Sequence, residues 1–191
     1  LLFLQTKLSI ETMKANQIDL KSVKINSLGL EASYVYDGKE IKVKGKDPIH
    51  PDLQSAINAL VPYFVEVCEM HEAEGIDWKN LEGSVTSEAC IKFSVSGIAL
   101  GGSENTLGLT IIGHKLLKTN KTLNLNTPRV MLDLENEDHY ERCEELKDIV
   151  QDICFEAEAY IINHKYAIVQ QTLPFNDDDD DDGTKVFDPY K

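Results

Sequence analysis

The chain of 191 residues carries a formal net charge of −14, and 42 % of its residues are hydrophobic. This length and apolar content fit one domain with a real core plus appendages. The acidity opposes binding of the surface as a whole to a nucleic-acid backbone or an anionic membrane, so a polyanion site would have to be a local basic patch.

The N-terminal residues give little sign of a targeting segment. Residues 1–5 are apolar, but they lack a basic flank and a small-residue cleavage site, which argues against a signal peptide. No apolar run is long enough for a transmembrane helix, so we expect no membrane partner and a cytoplasmic protein. Met13 is a candidate natural start, and residues 1–21 are interpreted as an N-terminal extension.

Strand-like alternation begins at Ser22 and opens the predicted domain, residues 22–170. Apolar residues recur at every second position up to Tyr36, with a bend near residues 27–29. Asp37-Gly38 predicts a hairpin turn, because both positions tolerate positive φ. Residues 39–46 would form the return strand.

A helix and a second set of strands follow. Apolar residues from Leu53 to His71 recur at helical spacing, and Pro62 should kink or split this helix because proline lacks an amide donor. Trp78 is expected to pack against the core. The patterns then predict strands over residues 85–95, 106–117 and 122–127, and a short apolar segment over 130–134.

The longest predicted element is a helix from Glu135 to about Val169, with an apolar stripe running from Cys143 to His164. About 30 residues would span about 45 Å, longer than the domain, which allows a homodimer through this helix. Strands joined by hairpins, with these two helices, predict an α+β fold: an antiparallel β-sheet with one kinked helix and one long C-terminal helix.

Four cysteines occur without a CxxC pair. Cys143 and Cys154 would lie about 16 Å apart along one helix, too far for a disulfide. We expect Cys68, Cys90 and these two to be buried, reduced thiols of a cytosolic protein.

Two hairpins are basic on this acidic chain, and each carries a net charge of +3. Lysines can track phosphates while aromatic rings stack bases, which is how single-stranded nucleic acid is often held. The alternative is that the lysines only protect edge strands from aggregation. The candidate nucleic-acid-binding residues are Lys39, Lys42, Lys44 and Lys46 with Tyr34 and Tyr36 on the partner strand, and Lys115, Lys118 and Lys121.

The C-terminal residues 171–191 are predicted to be a disordered acidic tail, because a run of like charges cannot pack into a core. The tail contributes −5, since seven aspartates outweigh two lysines from Asp177 onward, and residues 1–176 carry the remaining −9. Candidate partner-binding residues are Asp177, Asp178, Asp179, Asp180, Asp181, Asp182 and Phe187.

This tail resembles the acidic C-termini of bacterial and phage single-stranded DNA-binding proteins. Those tails recruit replication and repair proteins and can occupy the basic groove when DNA is absent, so the resemblance implies a recruiting or regulatory arm. It covers residues 177–191, and this tail ends Tyr190-Lys191 rather than in a bulky apolar residue. A purely solubilising tail is the alternative.

Residues 110–115 (TIIGHK), 123–128 (LNLNTP) and 50–53 (HPDL) with the following helix are similar to small uncharacterised proteins from tailed-phage early regions. Together the similar segments cover most of residues 23–165. This resemblance implies a phage or prophage context, often beside replication and recombination genes, and no particular mechanism.

Enzyme signatures are weak. Glu40-Ile41-Lys42 with Asp37 or Asp19 is similar to the carboxylate-x-lysine core of restriction-type nucleases. Two further clusters are candidate metal ligands, but a helix N-terminus explains the first and the second lacks another ligand pair: Asp133, Glu135, Glu137 and Asp138, and Cys68 with His71.

We therefore predict a non-enzymatic phage or prophage accessory protein of DNA replication or recombination. It would bind single-stranded DNA through the basic hairpins in a bacterial host cytoplasm, with no cofactor and no metal. A host or phage replication or recombination protein would bind the tail. The alternative is an acidic, DNA-mimicking inhibitor or adaptor of a host protein, and a metal-dependent nuclease is the remaining rival.

Overall fold

The computed structural model describes residues 18–102, 107–133 and 139–167. The predicted α+β architecture is confirmed: an antiparallel sheet of seven strands packs against a broken helix and a long C-terminal helix. The strands are β1 (Asp19–Asn26), β2 (Gly29–Tyr36), β3 (Lys39–Lys44), β4 (Phe93–Gly101), β5 (Gly108–Leu116), β6 (Thr122–Asn126) and β7 (Val130–Met131). The helices are α1 (Pro51–Asn58), α2 (Val61–Val67), α3 (Leu81–Val85) and α4 (Cys143–Asn163), with a 3-10 helix at His71–Gly75.

The sheet consists of two three-stranded meanders that meet at its centre. The strand order is β3-β2-β1-β4-β5-β6, and β7 pairs with β5 beyond the end of β6. Each meander is built from hairpins whose turns the sequence marks clearly, such as Asp37-Gly38, where both residues have positive φ. The central contact is the antiparallel pairing of β1 with β4, in which Val23 lies opposite Ile98. Strands β3 and β6 are consequently the outer edges.

The two faces of the sheet differ in burial. Alternate residues of the central strands, including Val23, Leu30, Ile98 and Ile111, are completely buried and form one core with the helices. The side chains between them point to the opposite face, where they are half-buried or exposed. We call this second side the open face. It is one of the two surfaces on which a binding site can be sought, and the helical layer is the other.

Pro62 divides the predicted helix as expected. Helix α1 begins after His50, whose Nδ1 accepts the amide hydrogen of Asp52, and it ends at Asn58. Helix α2 then starts at Val61 with Pro62 in its first turn, where the missing amide donor costs nothing. All residues from Val61 to Val65 are buried, so this short helix lies in the core.

The C-terminal helix α4 has 21 residues and is shorter than predicted. The described residues 139–142 preceding it are not helical, and it ends where His164 adopts a left-handed conformation with φ of 55°. The left-handed residue frees the chain to turn back, and Lys165 N–H then donates to the Ala159 carbonyl. The helix spans about 32 Å, which removes the projecting segment on which the helix-mediated dimer was based.

The prediction of a strand over residues 85–95 is wrong for its first part. Asn80 caps helix α3 by accepting the Gly83 amide hydrogen, and Ser84 and Ser87 hydroxyls donate to backbone carbonyls. These local hydrogen bonds compete with strand formation, so the strand begins only at Phe93. At the N-terminus, β1 begins before the predicted domain boundary, and Ile18 and Leu20 are already buried.

Candidate functional site

The two basic hairpins lie at opposite edges of the sheet. Lys39, Lys42 and Lys44 are on β3, whereas the second group lies around the β5–β6 turn. The two edge strands are separated by five inter-strand steps, or about 24 Å at about 4.8 Å per step. The hairpins therefore form two separate surfaces and not one groove.

In the first hairpin the tyrosines and two of the lysines point to opposite faces. Tyr34 pairs with Ile41 and is only 7 % exposed, so its ring belongs to the core. Lys42 pairs with Ser33 on the open face, because successive side chains of a strand alternate. Tyr36 is 50 % exposed and pairs with Lys39 at the end of the strand. Tyr34 thus cannot stack bases, which corrects the predicted role of this residue.

In the second hairpin Lys115 has a structural role. Its ammonium lies 2.6 Å from a carboxylate oxygen of Glu72 and 4.9 Å from the ring centre of Phe93, on the helical side of the sheet. Burial raises the pKa of Glu72, but the hydrogen bond from Lys115, a backbone hydrogen bond and the nearby positive charges together leave this pKa below its usual value. Lys118 and Lys121 are exposed in the turn, so they are the members of this group that remain available to a ligand.

The other predicted residues fall in different places. Lys46 is exposed in the loop after β3. The tail residues, from Asp177 to Asp182 and Phe187, lie outside the described residues, as do Glu135, Glu137 and Asp138. Their predicted roles stay predictions.

The open face carries small and polar side chains in rows that cross the strands. One row joins five strands through the pairs Lys42–Ser33, Ser33–Ser22, Ser22–Ala99 and Ala99–Thr110. The next row contains Lys44, Glu31, Lys24, Gly97 and Ile112, and the ammonium of Lys44 lies 3.2 Å from the carboxylate of Glu31. In the described part of the chain, these two rows offer hydroxyl groups and the lysines Lys24, Lys42 and Lys44.

The nuclease-like residues do not assemble into a metal site. Asp19 and Glu40 both lie opposite Val35, on either side of it, so two inter-strand steps of about 4.8 Å separate them. Among the described residues, the group of three close potential metal ligands is His50, Asp52 and Glu156, and it includes neither of these two acids. Asp19 instead pairs with Lys21 at 2.7 Å, and Asp37 is held in the turn.

The helical layer carries a second feature that sequence reasoning missed. An open groove of about 470 Å³ runs between α1 and α4, and the ring of Phe155 lies in it with 62 % of its surface exposed. The rest of the lining is polar or small, and three of its members are carboxylates: Asp52, Ser55, Ala56, Asp152 and Glu156. A large aromatic side chain surrounded by acids is thus presented to solvent. The sequence contains a sign of this exposed ring, because Phe155 is a large apolar residue that lies outside the apolar stripe of α4.

One end of this groove is fixed by a bridging lysine. Lys165 lies 2.6 Å from Asp52 and 2.7 Å from Glu156, and His50 stands 3.3 Å from Asp52. The hydrogen bond from Lys165 lowers the pKa of Asp52, and the same bond raises the pKa of Lys165. Among the described residues, His50, Asp52 and Glu156 are the potential metal ligands that cluster in a group of three. The ammonium already stands between the two carboxylates, so a metal ion would have to displace it.

Cys68 and His71, the candidate pair that lacks further ligands, have surroundings that do not favour zinc. The His71 side chain is 87 % exposed and pairs with Glu72 at 2.9 Å. Desolvation raises the pKa of the Cys68 thiol, which opposes the thiolate form that zinc requires. All four cysteines are free thiols.

At the opposite end of the helical layer a polar and aromatic network joins α2 to α4. Tyr63 donates to Glu145 and Tyr140 donates to Glu66, and burial together with these carboxylates raises both tyrosine pKa values. The guanidinium of Arg142 lies 3.9 Å from the ring centre of Trp78, whose ring meets Tyr63 edge-on. Trp78 packs against the core as predicted. The network explains how α4 is anchored.

Neither a family model, nor a curated protein, nor a solved structure matches the chain. In the described part of the chain, no helix combines the length and apolar character needed to cross a membrane. Function must therefore be argued from the side chains and surfaces themselves.

Proposed function

We propose that the protein is a non-enzymatic adaptor or inhibitor that binds a basic protein through the groove between α1 and α4. The observation that carries this proposal is the exposed ring of Phe155 within a rim of carboxylates. An exposed apolar group rimmed by polar residues is typical of interaction sites. Aromatic anchors inside such a rim commonly provide most of the binding energy.

The charge of the helical layer supports a basic partner. Helix α4 carries six acidic residues and one lysine, a net charge of −5. Asp148, Asp152 and Phe155 are exposed on its outer side. The field of such a surface steers cationic partners towards it and speeds their association at low salt. The same charge opposes nucleic acid at this site.

A labelled cationic amphipathic peptide that forms a helix provides the direct probe. Fluorescence anisotropy should detect binding that weakens with salt, and Phe155→Ala should raise the Kd by about tenfold or more, as expected of an aromatic anchor. Leu28→Ala is the matched control, since Leu28 is 77 % exposed in the β1–β2 turn, away from the groove. An unchanged Kd for Phe155→Ala, or equal loss in both variants, would contradict the proposal.

The natural partner can be identified at the same position. A photo-crosslinking amino acid in place of Phe155 should capture a basic protein from bacterial lysate, whereas the same amino acid at Leu28 should not. Asp152→Lys should abolish the capture by reversing charge beside the ring. A captured protein that is acidic, or a yield unaffected by Asp152→Lys, would argue against a basic partner.

Single-stranded DNA binding is a second candidate, and the open face is where it would occur. Lys24, Lys42 and Lys44 lie there in neighbouring rows with hydroxyl side chains between them. Anisotropy with a labelled oligonucleotide should then show salt-sensitive binding that Lys24→Gln weakens and removal of residues 177–191 tightens. Absence of binding at micromolar protein, with or without those residues, would eliminate this candidate.

The cellular setting belongs to the same proposal. The adaptor would act in a bacterial host on behalf of a phage or prophage, with a DNA-handling enzyme as its basic partner. Asp177–182 and Phe187 would recruit a replication or recombination protein. The crosslinking experiment tests this setting, because it names the captured protein.

A further inference from the structure

The two edges of the sheet are chemically different. Edge strand β3 presents Lys39, Glu40, Lys42 and Lys44, and such charges prevent another strand from pairing. Edge strand β6 has the sequence TLNLN, with no charge and no proline, and four of its five residues are exposed. Among the described residues β6 pairs only with β5, so its outer side is unpaired. An edge of this kind is a template for a further strand.

The hydrogen-bond pattern tells which backbone groups of β6 face outward. Leu117 N–H donates to Lys121 C=O at one end of the β5–β6 ladder, and Thr127 N–H donates to Ile111 C=O at the other. Bonded and non-bonded pairs alternate in an antiparallel ladder, so Leu123 and Leu125 also bond to β5. The N–H and C=O groups of Thr122, Asn124 and Asn126 consequently point away from the sheet.

This set of outward groups is self-complementary. If two β6 strands pair antiparallel about a two-fold axis at Asn124, each Asn124 exchanges both hydrogen bonds with its copy. Thr122 of each copy then pairs with Asn126 of the other copy, which gives two equivalent pairs. Every outward donor and acceptor of the strand is satisfied by this register, with no slip and no bulge.

The side chains agree with the same register. Leu123 and Leu125 pair with Lys115 and Gly113, so both lie on the helical side of the sheet, and Leu123 is 43 % exposed. In the two-fold arrangement, Leu123 of one copy lies opposite Leu125 of the other, and each covers the other. The polar Thr122, Asn124 and Asn126 form a ladder on the open face. Lys121 would lie opposite Thr127 of the second copy, so the strands themselves bring no like charges together.

We propose that two copies of the chain associate through antiparallel pairing of their β6 strands. The sheet then continues across the two-fold axis with both helical layers on one side, and it ends at the two lysine-protected β3 edges. The net charge of −14 opposes contact between copies, and an uncharged strand is where contact costs least. This surface is separate from the α1–α4 groove, so the two proposals succeed or fail independently.

Sedimentation velocity across a concentration series tests the proposal. The full chain should sediment as a monomer–dimer equilibrium, and association should tighten as salt screens the net charge. Asn124→Pro removes the outward N–H but no bond to β5, and proline is tolerated on an edge at such a position. Losing this bond from both copies should raise the dimer dissociation constant by about 30-fold.

Lys42→Pro is the matched control at the other edge. Leu30 and Gly45 exchange both hydrogen bonds, so by the same alternation Lys42 points its N–H outward from β3. This variant should dimerise as the parent chain does. Circular dichroism and thermal melting of both proline variants establish that they fold. Equal dimerisation of Asn124→Pro and the parent chain would overturn the proposal.

A crosslink tests the register without disturbing the strand. Asn124→Cys places two thiols on the axis with Cα atoms about 5.5 Å apart, within disulfide range. Mild oxidation should give a covalent dimer of Asn124→Cys and none of Lys42→Cys. A parent chain that stays monomeric at all concentrations, as it would if another segment of the same chain covered β6, would refute self-association.

Discussion

Lys115→Met provides the sharpest test of the structure, because it separates two roles of one lysine. As a nucleic-acid ligand, Lys115 would be dispensable for folding. In the structure its ammonium neutralises Glu72, and the side chains of the pair are only 19 % and 17 % exposed. The second carboxylate oxygen of Glu72 is buried, and its neighbour at 2.9 Å is Nδ1 of His71, a side chain that is itself 87 % exposed. Removing Lys115 would therefore leave a desolvated charge.

The expected loss is about 2 kcal/mol in the free energy of unfolding. Breaking a fully buried pair costs about 3–5 kcal/mol, and the residual exposure of this pair reduces the figure. About 0.5–1 kcal/mol of this loss comes from removing the ammonium above the Phe93 ring. With a urea m-value of about 2 kcal/mol/M, the midpoint should fall by about 1 M. Lys118→Met is the control, since Lys118 is exposed, and it should move the midpoint very little.

The pH dependence of the same variant provides an internal check. The pKa of Glu72 is lowered in the folded chain, so the pair contributes stability above the unfolded value near 4.5, and this contribution is lost as pH falls through the folded value. The difference between the parent chain and Lys115→Met should thus be largest near neutral pH and narrow in acid. Equal midpoints for Lys115→Met and Lys118→Met at pH 7 would refute the structural role.

Three further outcomes are expected. Gly97→Ala should lower the free energy of unfolding by about 2 kcal/mol or more, because the new Cβ would stand 2.1 Å from the Val23 carbonyl oxygen. Thermal melting measures this loss, and a melting temperature within about two degrees of the parent chain's would contradict it. Cys154 should resist thiol reagents at pH 8 in the native chain and react in urea, because burial raises its pKa to about 12. Rapid labelling of Cys154 in the native chain would contradict this. Tyr160→Phe should cost about 1 kcal/mol in urea unfolding by losing the hydrogen bond to Asp47 C=O, and no change would contradict it.

Local patterns explain why the fold class was predictable. Alternation, the Asp37-Gly38 turn and Pro62 each act within a few residues, and each produced the expected local structure. The failure over residues 85–92 has the same origin, since Ser84 and Ser87 bond to nearby backbone and override an alternating pattern. The sheet order could not be predicted from such local patterns, because the β1–β4 contact depends on packing between distant segments.

The candidate site was less predictable than the fold. The side of the sheet on which Lys42 lies follows from the hairpin register, which could have been derived from the two-residue turn. The partner of Lys115 could not have been derived in this way, because Glu72 belongs to a separate 3-10 helix. Phe155 was visible as an apolar residue outside the helical stripe, but its acidic rim depends on how α1 lies beside α4.

The division of the sheet into two meanders has a consequence for folding kinetics. Within each meander every strand pairs with its neighbour in sequence, so both can form early through short loop closures. Their union needs Val23 to meet Ile98, about 75 residues away, with all of α1, α2 and α3 in between. The β1–β4 seam is thus the natural rate-limiting step. Until it closes, each half exposes an unpaired central strand, and the time spent in that state sets the risk of misassembly.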